Sequence, residues 1–167
     1  MTINIRKATI ADIPNIQKIS AITWPPTYSH IISKEQIDFM LHLMYSNESL
    51  LHQFNTAHQF FIAESQQEPV GFASVSLQER TIFKLNKLYV LPTTQKTGAG
   101  KLLLQKVVEF AKTNGGTKLQ LQVNRANNAK DFYLKKGFSI LYEKDFEIGN
   151  GFFMNDYVME LDLIKLN

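Results

Sequence analysis

The chain of 167 residues predicts an α/β or α+β fold on a mixed sheet, contained in one domain spanning residues 1–167. Three observations carry this. Short runs of strand period recur along the chain, with stripes of helical period between them. Their order is β-α-α-β-β-β-α-β-α-β-β. No low-complexity segment, internal repeat or Pro/Gly-rich linker interrupts the sequence, and its length suits a single core.

The first strand is INIRKA at 3–8, where apolar and polar residues alternate. Thr9 and Asp12 have capping-box spacing, and Ile13, Ile16, Ile19 and Ala21 or Ile22 form a helical stripe behind them. TWPPTYSH ends that helix, because paired prolines cannot continue one. Ser33 with Gln36 starts a second helix carrying Ile37, Met40, Leu41 and Met44, and ESLLHQF adds a short helical stretch. Strands follow at QFFIAE (59–64), at VGFASVSLQE (70–79) after the turn QQEP, and at IFKLNKLYV (82–90). Pro92 stops the last of these by removing a donor. The next helix begins near Gly98, carries Leu102, Leu103, Val107, Phe110 and Ala111, and stops at NGG. KLQLQV (118–123) alternates as a strand, residues 127–136 form a helix ended by Gly137, and FSILYEKDFEI and YVMELDL are the last two strands.

Composition narrows the class. Apolar residues make up 44% and charged residues 20%, as in ordinary globular proteins. No apolar stretch approaches the ~20 residues that cross a bilayer, and the N-terminus lacks a secretory pattern. The absence of cysteine removes disulfides, thiolate metal sites and a cysteine nucleophile, and it fits a reducing cytoplasm. The four histidines lack H-x-x-x-H or H-E-x-x-H spacing, so no metal site is expected. The net charge of +3 and pI near 9.0 come from dispersed lysines, with no basic stripe of the kind that holds nucleic acid.

QKTGAG at 95–100 lies where a strand gives way to a helix. The first N–H groups of a helix lack internal partners, and the helix dipole adds partial positive charge there. Glycines let an anion approach, and Lys96 and Lys101 add charge. Two phosphate loops fail on spacing. A Walker loop needs Gly and Ser or Thr where Gln95 and Leu102 stand, and a dinucleotide fingerprint needs Gly at Leu103. Taken alone, the stretch is equally a glycine turn before an amphipathic helix.

LYVLPTTQKTGAGKLLLQKVVEFA resembles the acetyl-coenzyme A motif of the GNAT superfamily of N-acetyltransferases, Q/R-x-x-G-x-G/A after a strand, with Gln95, Gly98 and Gly100 in the motif positions. VNRANNAKDFYLKKGF at 123–138 is similar to the following segment of that family, an asparagine before a helix that carries a tyrosine and ends in Gly-Phe. The resemblance covers nearly the whole chain. It implies a mostly antiparallel sheet of about seven strands flanked by helices, and acetyl-coenzyme A as co-substrate without a metal. Residues 95–100, Gln95, Lys96, Thr97, Gly98, Ala99 and Gly100, with Lys101, would wrap its pyrophosphate. The backbone around Leu88, Tyr89 and Val90 would pair with the pantetheine arm as an added strand. The parallel strands 82–90 and 117–123 would splay to admit it. Asn127 matches a cofactor-contacting asparagine and can also cap the helix behind it.

With neither a cysteine nor a G-x-S-x-G elbow, direct attack of the amine in a ternary complex is expected rather than an acyl-enzyme. A backbone N–H near Val90 would polarise the thioester carbonyl. Tyr133 stands at the family's tyrosine position and would protonate the departing thiolate; otherwise it packs beside Phe132 and Phe138. Relatives often carry a glutamate on the strand ahead of the loop, where this chain has Lys84, Asn86 and Lys87, so no base is assigned. Glu143, Asp145 and Glu147 alternate with Tyr142, Phe146 and Ile148, as on a solvated strand face.

ITWPPTYSHIISKEQIDFMLHLMYS is similar to the PaiA-type polyamine acetyltransferases, which makes Trp24 and Tyr28 candidates for an amine pocket by cation–π contact. Both also suit plain packing, and His30 is a weaker candidate in the same connection. The expected partner is a small amine, with spermidine or spermine favoured; no nucleic acid or membrane is expected, and a homodimer is left open. A non-catalytic acyl-coenzyme A module and an acetyltransferase for protein or peptide N-termini are the rival readings.

Overall fold

The computed structural model describes residues 2–165. The chain runs through β1 (Ile3–Lys7), a 3-10 turn, α1 (Ile13–Tyr28), α2 (Lys34–Tyr45), α3 (Asn47–Asn55), β2 (Gln59–Ser65), β3 (Glu68–Glu79) and β4 (Ile82–Val90). A second 3-10 turn leads to α4 (Ala99–Thr113), β5 (Lys118–Asn124), α5 (Ala129–Lys135), β6 (Ser139–Gly149) and β7 (Phe152–Asp162). The seven strands form one sheet in the order β1-β2-β3-β4-β5-β7-β6. Every neighbouring pair is antiparallel except β4 and β5.

Strand alternation sorts the core onto the two faces. Phe61, Ala73, Val75, Leu85, Leu119 and Leu121 pack against Leu103 and Val107 of α4. Their sequence neighbours Phe60, Ile62 and Phe72 pack on the opposite face with Ile16, Ile19 and Trp24 of α1. The edge between β1 and α1 is held by charge. Arg6 donates to both Asp12 carboxylate oxygens at 2.8 and 2.7 Å. Asp12 also accepts the Thr9 N–H at 2.9 Å, in keeping with the capping spacing.

Three sequence expectations need amendment. α1 does not stop at TWPP; it continues through Pro25 and Pro26 to Tyr28. The prolines remove two ladder donors, at a cost of about 3 kcal/mol for a helix-interior proline. Trp24 and Tyr28 lie almost fully buried on either side of them. Burying a large side chain contributes roughly 1.5–3 kcal/mol, so two such burials are of the same order as the cost of the break. The stretch at ESLLHQF is a full helix, α3, capped by the Ser46 hydroxyl accepting from Ser49 N, so three helices precede β2 rather than two. β7 starts at Phe152 rather than at Tyr157, because it forms a long hairpin with β6 across Asn150 and Gly151, both with positive φ.

Candidate active site

The site begins as a defect in the sheet. β4 and β5 pair only from Ile82↔Lys118 to Leu85↔Leu121, although β4 continues along β3 as far as Val90. Asn86 is the extra residue of a bulge, since Ser74 opposes Lys87 while Val75 opposes Leu85. A bulge bends its strand and increases the local twist. This one falls where β4 parts from β5, and Asn86 Nδ2 donates to Ser76 Oγ at 2.9 Å across it.

A cavity of about 860 Å³ fills the gap. Leu91 N donates to Val70 O on the β3 side, so strand alternation turns the N–H and C=O groups of Leu88 and Val90 into the gap. Gln95 Nε2 donates to the Val90 carbonyl at 3.3 Å, which leaves the Val90 N–H facing the cavity.

The loop after β4 forms the next wall. Gly98 has φ 90°, a left-handed conformation natural to glycine, and Lys96 shares it at φ 71°. Gly98 caps α4, its carbonyl accepting the Leu102 N–H at 3.0 Å. The N–H groups of Ala99, Gly100 and Lys101 are those that the first turn leaves without intrahelical acceptors. A Cβ on Gly100 would touch Leu88, Val90 and Phe132 at 3.9 Å, so glycine keeps that corner open. Gln95, Lys96, Gly98, Gly100 and Lys101 line the cavity with Leu88, Tyr89 and Val90. Thr97 turns its hydroxyl back onto the Thr94 carbonyl, and Ala99 is buried beneath the helix.

From the far side come Asn127 and Tyr133. Asn127 Oδ1 accepts the Ala129 N–H at 2.9 Å, so it shapes the start of α5 while also facing the cavity. Tyr133 is 7% exposed, with Phe132 and Phe138 edge-on at 5.2 and 5.5 Å. Burial pushes its phenol well above the ordinary value, so it stays protonated at neutral pH. Packing against both phenylalanines and reaching the cavity are therefore compatible in this residue.

The other end of the cavity is bounded by α1 through Thr23, Pro26, Thr27 and Tyr28, and by His30 and Ile31 after it. The Tyr28 hydroxyl meets the Tyr89 hydroxyl at 2.9 Å and lies beside Asn127. Trp24 is not brought to the cavity. It stands behind, 2% exposed, with its ring 4.5 Å from that of Tyr28 and 5.8 Å from that of Tyr89. Of the acidic strand residues, Asp145 pairs with Arg125 at 2.6 Å on an exposed face. Sequence reasoning passed over Asp156, a buried carboxylate on β7 whose environment raises its pKa to about 6. Its only signal was one acidic residue near the start of the apolar run of the last strand.

Residues 29–161 match the model of the acetyltransferase (GNAT) domain. The chain is 30% identical over 146 residues to a spermidine N(1)-acetyltransferase of Thermoplasma acidophilum, covering 84% of this chain and 90% of that protein. It is 40% identical over 72 residues to a [ribosomal protein bS18]-alanine N-acetyltransferase of Haemophilus influenzae, covering 42% of this chain and 47% of that protein. Among solved structures it superposes on the PaiA N-acetyltransferase of Thermoplasma acidophilum in complex with coenzyme A with a TM-score of 0.83 and 28% identity, covering 97% and 99% of the two chains. A parted strand pair, a glycine-led helix beyond it and a family match over most of the chain agree, and the chain belongs to the GNAT family of N-acetyltransferases.

Proposed function

We propose that this chain transfers the acetyl group of acetyl-coenzyme A directly to a primary amine of a small molecule. The observation that carries this reading is the gap between β4 and β5, with the Leu88 and Val90 backbone turned into it and a buried tyrosine at its side.

The residues present fit coenzyme A. The corner that glycine keeps open at Gly100 and the unsatisfied N–H groups of the first turn of α4 suit a pyrophosphate. Lys96 and Lys101 flank it, and Leu88 and Val90 supply strand-like pairing for the pantetheine amides. When bound, the thioester supplies an activated acyl group. The Val90 N–H is placed to polarise a carbonyl in the gap. Tyr133, held protonated by burial, is placed to give a proton to a leaving sulfur.

For the acceptor, the similarity to a spermidine acetyltransferase supports a polyamine, and Tyr28, Thr27 and His30 form the end of the cavity where it would enter. The likeness to an N-terminal alanine acetyltransferase supports a peptide amine as the second reading. The test is a panel of spermidine, spermine, amino acids and N-terminal peptides with acetyl-coenzyme A. Released thiol is read with a thiol-reactive dye, and a chain without cysteine contributes no background. Thiol release with spermidine and not with peptides is the expected result. Coenzyme A binding without thiol release from any amine would overturn the transferase reading.

A further inference from the structure

Asp156 is 6% exposed, and its Oδ1 has no hydrogen-bond partner. No hydrogen bond or ion pair of 4 Å or less engages its carboxylate among the described residues. An unpaired carboxylate oxygen held away from water is costly, and perturbed carboxylates of this kind cluster at functional sites. Contrast Asp12, equally buried, which spends both oxygens on Arg6.

The position of Asp156 is as telling as its isolation. It opposes Asn124 on β5, one layer behind the cavity wall, which runs through Gln122, Val123, Ala126 and Asn127 on both sides of Asn124. Along β7 it shares its face with Met154, which packs in the cluster around α1 and α2, so it projects toward the acceptor side of the sheet. Asp156 is near enough to Tyr28 for its charge to help keep that phenol protonated. Tyr133 packs with the α4-side core and Asp156 shares the α1 side, so acid and base candidates lie on opposite faces of the sheet, both on the β5 side of the gap.

We infer that Asp156 receives the proton of the acceptor ammonium through water, and so generates the neutral amine that attacks. This deepens the transferase reading above and rests on it. The balance is simple. The ammonium gives one proton to the Asp156 carboxylate, and the freed nitrogen lone pair forms the N–C bond. The C–S bond breaks with its electron pair on sulfur. Tyr133 gives one proton to the sulfur; the second nitrogen proton passes to solvent as the amide forms, and solvent returns one proton to Tyr133. Asp156 then releases its proton to solvent.

Burial raises this carboxyl to about 6, against the lowering effects of Arg125 from the β5–α5 connection and Lys84 from β4. Tyr28 faces it from α1, and Lys144 stands opposite on β6. A base of that kind is ionised at pH 7.5 yet more basic than a free carboxylate.

The experiment compares the full chain with Asp156→Asn, using spermidine and acetyl-coenzyme A from pH 5.5 to 9, alongside thermal unfolding. The parent is expected to level off above pH 6 to 7. The variant is expected to lose about 100-fold in kcat/KM at pH 7 and to climb roughly tenfold per pH unit as solution supplies free amine. It should bind coenzyme A as the parent does and melt higher at pH 8, because the buried charge is gone. If the amide fails to fold, Asp156→Ala is read the same way. A variant within threefold of the parent, with the same pH profile, overturns the assignment. If no amine is acetylated by the parent, thermal stabilisation of the coenzyme A-loaded chain by spermidine decides: its loss in the variant supports Asp156 as the amine's partner while the transferase reading falls, and equal stabilisation overturns Asp156.

Discussion

The hydroxyls of Tyr28 and Tyr89 meet 2.9 Å apart and join the last turn of α1 to the stretch of β4 that no longer pairs with β5. Neither element would hold this geometry alone. α1 reaches the site only because it persists past two prolines, and β4 is unsupported by β5 beyond Leu85. Burial pushes both phenols up, so both remain neutral, and each gives the other its hydrogen-bond partner.

Tyr28→Phe should therefore cost stability beyond one neutral hydrogen bond. It strands the Tyr89 hydroxyl in a buried site, a penalty of about 1–3 kcal/mol. Denaturant unfolding checks this. The double variant Tyr28→Phe/Tyr89→Phe should recover part of the loss, since removing both partners leaves nothing unsatisfied. A double variant less stable than the sum of its parts would contradict the pairing.

The glycines of the loop should fail in different ways. At Gly98 an added Cβ meets nothing within 4 Å, but its φ of 90° strains any branched residue. Gly98→Val is expected to lower stability by about 1–3 kcal/mol through backbone strain. Gly100 has an unstrained backbone, and its Cβ makes ordinary contacts at 3.9 Å. Gly100→Val should fold nearly as well and fill the corner. The thermal shift caused by coenzyme A, which stabilises by binding only the native state, should then disappear. An undiminished shift in Gly100→Val would move the cofactor out of this corner.

The sequence disclosed some of this architecture and hid the rest for physical reasons. The strands 82–90 and 118–123 were legible from alternation, and 59–64 from its short apolar run. The loop at Gln95, Gly98 and Gly100 was legible through its likeness to the family motif, since the glycines alone equally suit a plain turn. The continuation of α1 through Pro25 was not, because local propensity opposes it and only tertiary burial of Trp24 and Tyr28 reverses the sign. Trp24 stood open between pocket lining and plain packing, and the fold seats it one layer behind Tyr28. The bulge at Asn86 depends on pairing with β3, which no single-strand pattern records. Asp156 was invisible because its isolation is a property of the folded core.

Acid should unlock the β1–α1 edge. Arg6 holds the Asp12 carboxyl at about 2, below its ordinary 3.8. A depressed carboxylate contributes stability that is complete above its unfolded value and is lost as pH falls through its folded one. The contribution, at most about 2.4 kcal/mol by the shift and less because the Arg6 side chain is partly open to solvent, should vanish between about pH 4 and pH 2. Asp12→Asn should show the parent's stability deficit already at pH 7 and a flatter dependence over that window. Urea midpoints at pH 7, 4 and 2.5 make the comparison. Parallel curves for parent and variant would rule out the pair as the source.

Tyr133→Phe isolates a single hydroxyl. The ring keeps its contacts with Phe132 and Phe138 at 5.2 and 5.5 Å, so packing and coenzyme A binding should change little. No hydrogen bond ties the hydroxyl to another side chain among the described residues, so its removal strands no partner. If the phenol protonates the leaving sulfur, turnover should drop by roughly 10²–10⁴-fold, the range of a positioned general acid. The KM for acetyl-coenzyme A should move far less, because that interaction grows mainly in the transition state. A thiolate is already a good leaving group, so the test needs chemistry to be rate-limiting, which single-turnover kinetics establishes. Turnover within about twofold of the parent under that condition would leave Tyr133 as the aromatic wedge between α5 and the strand after it.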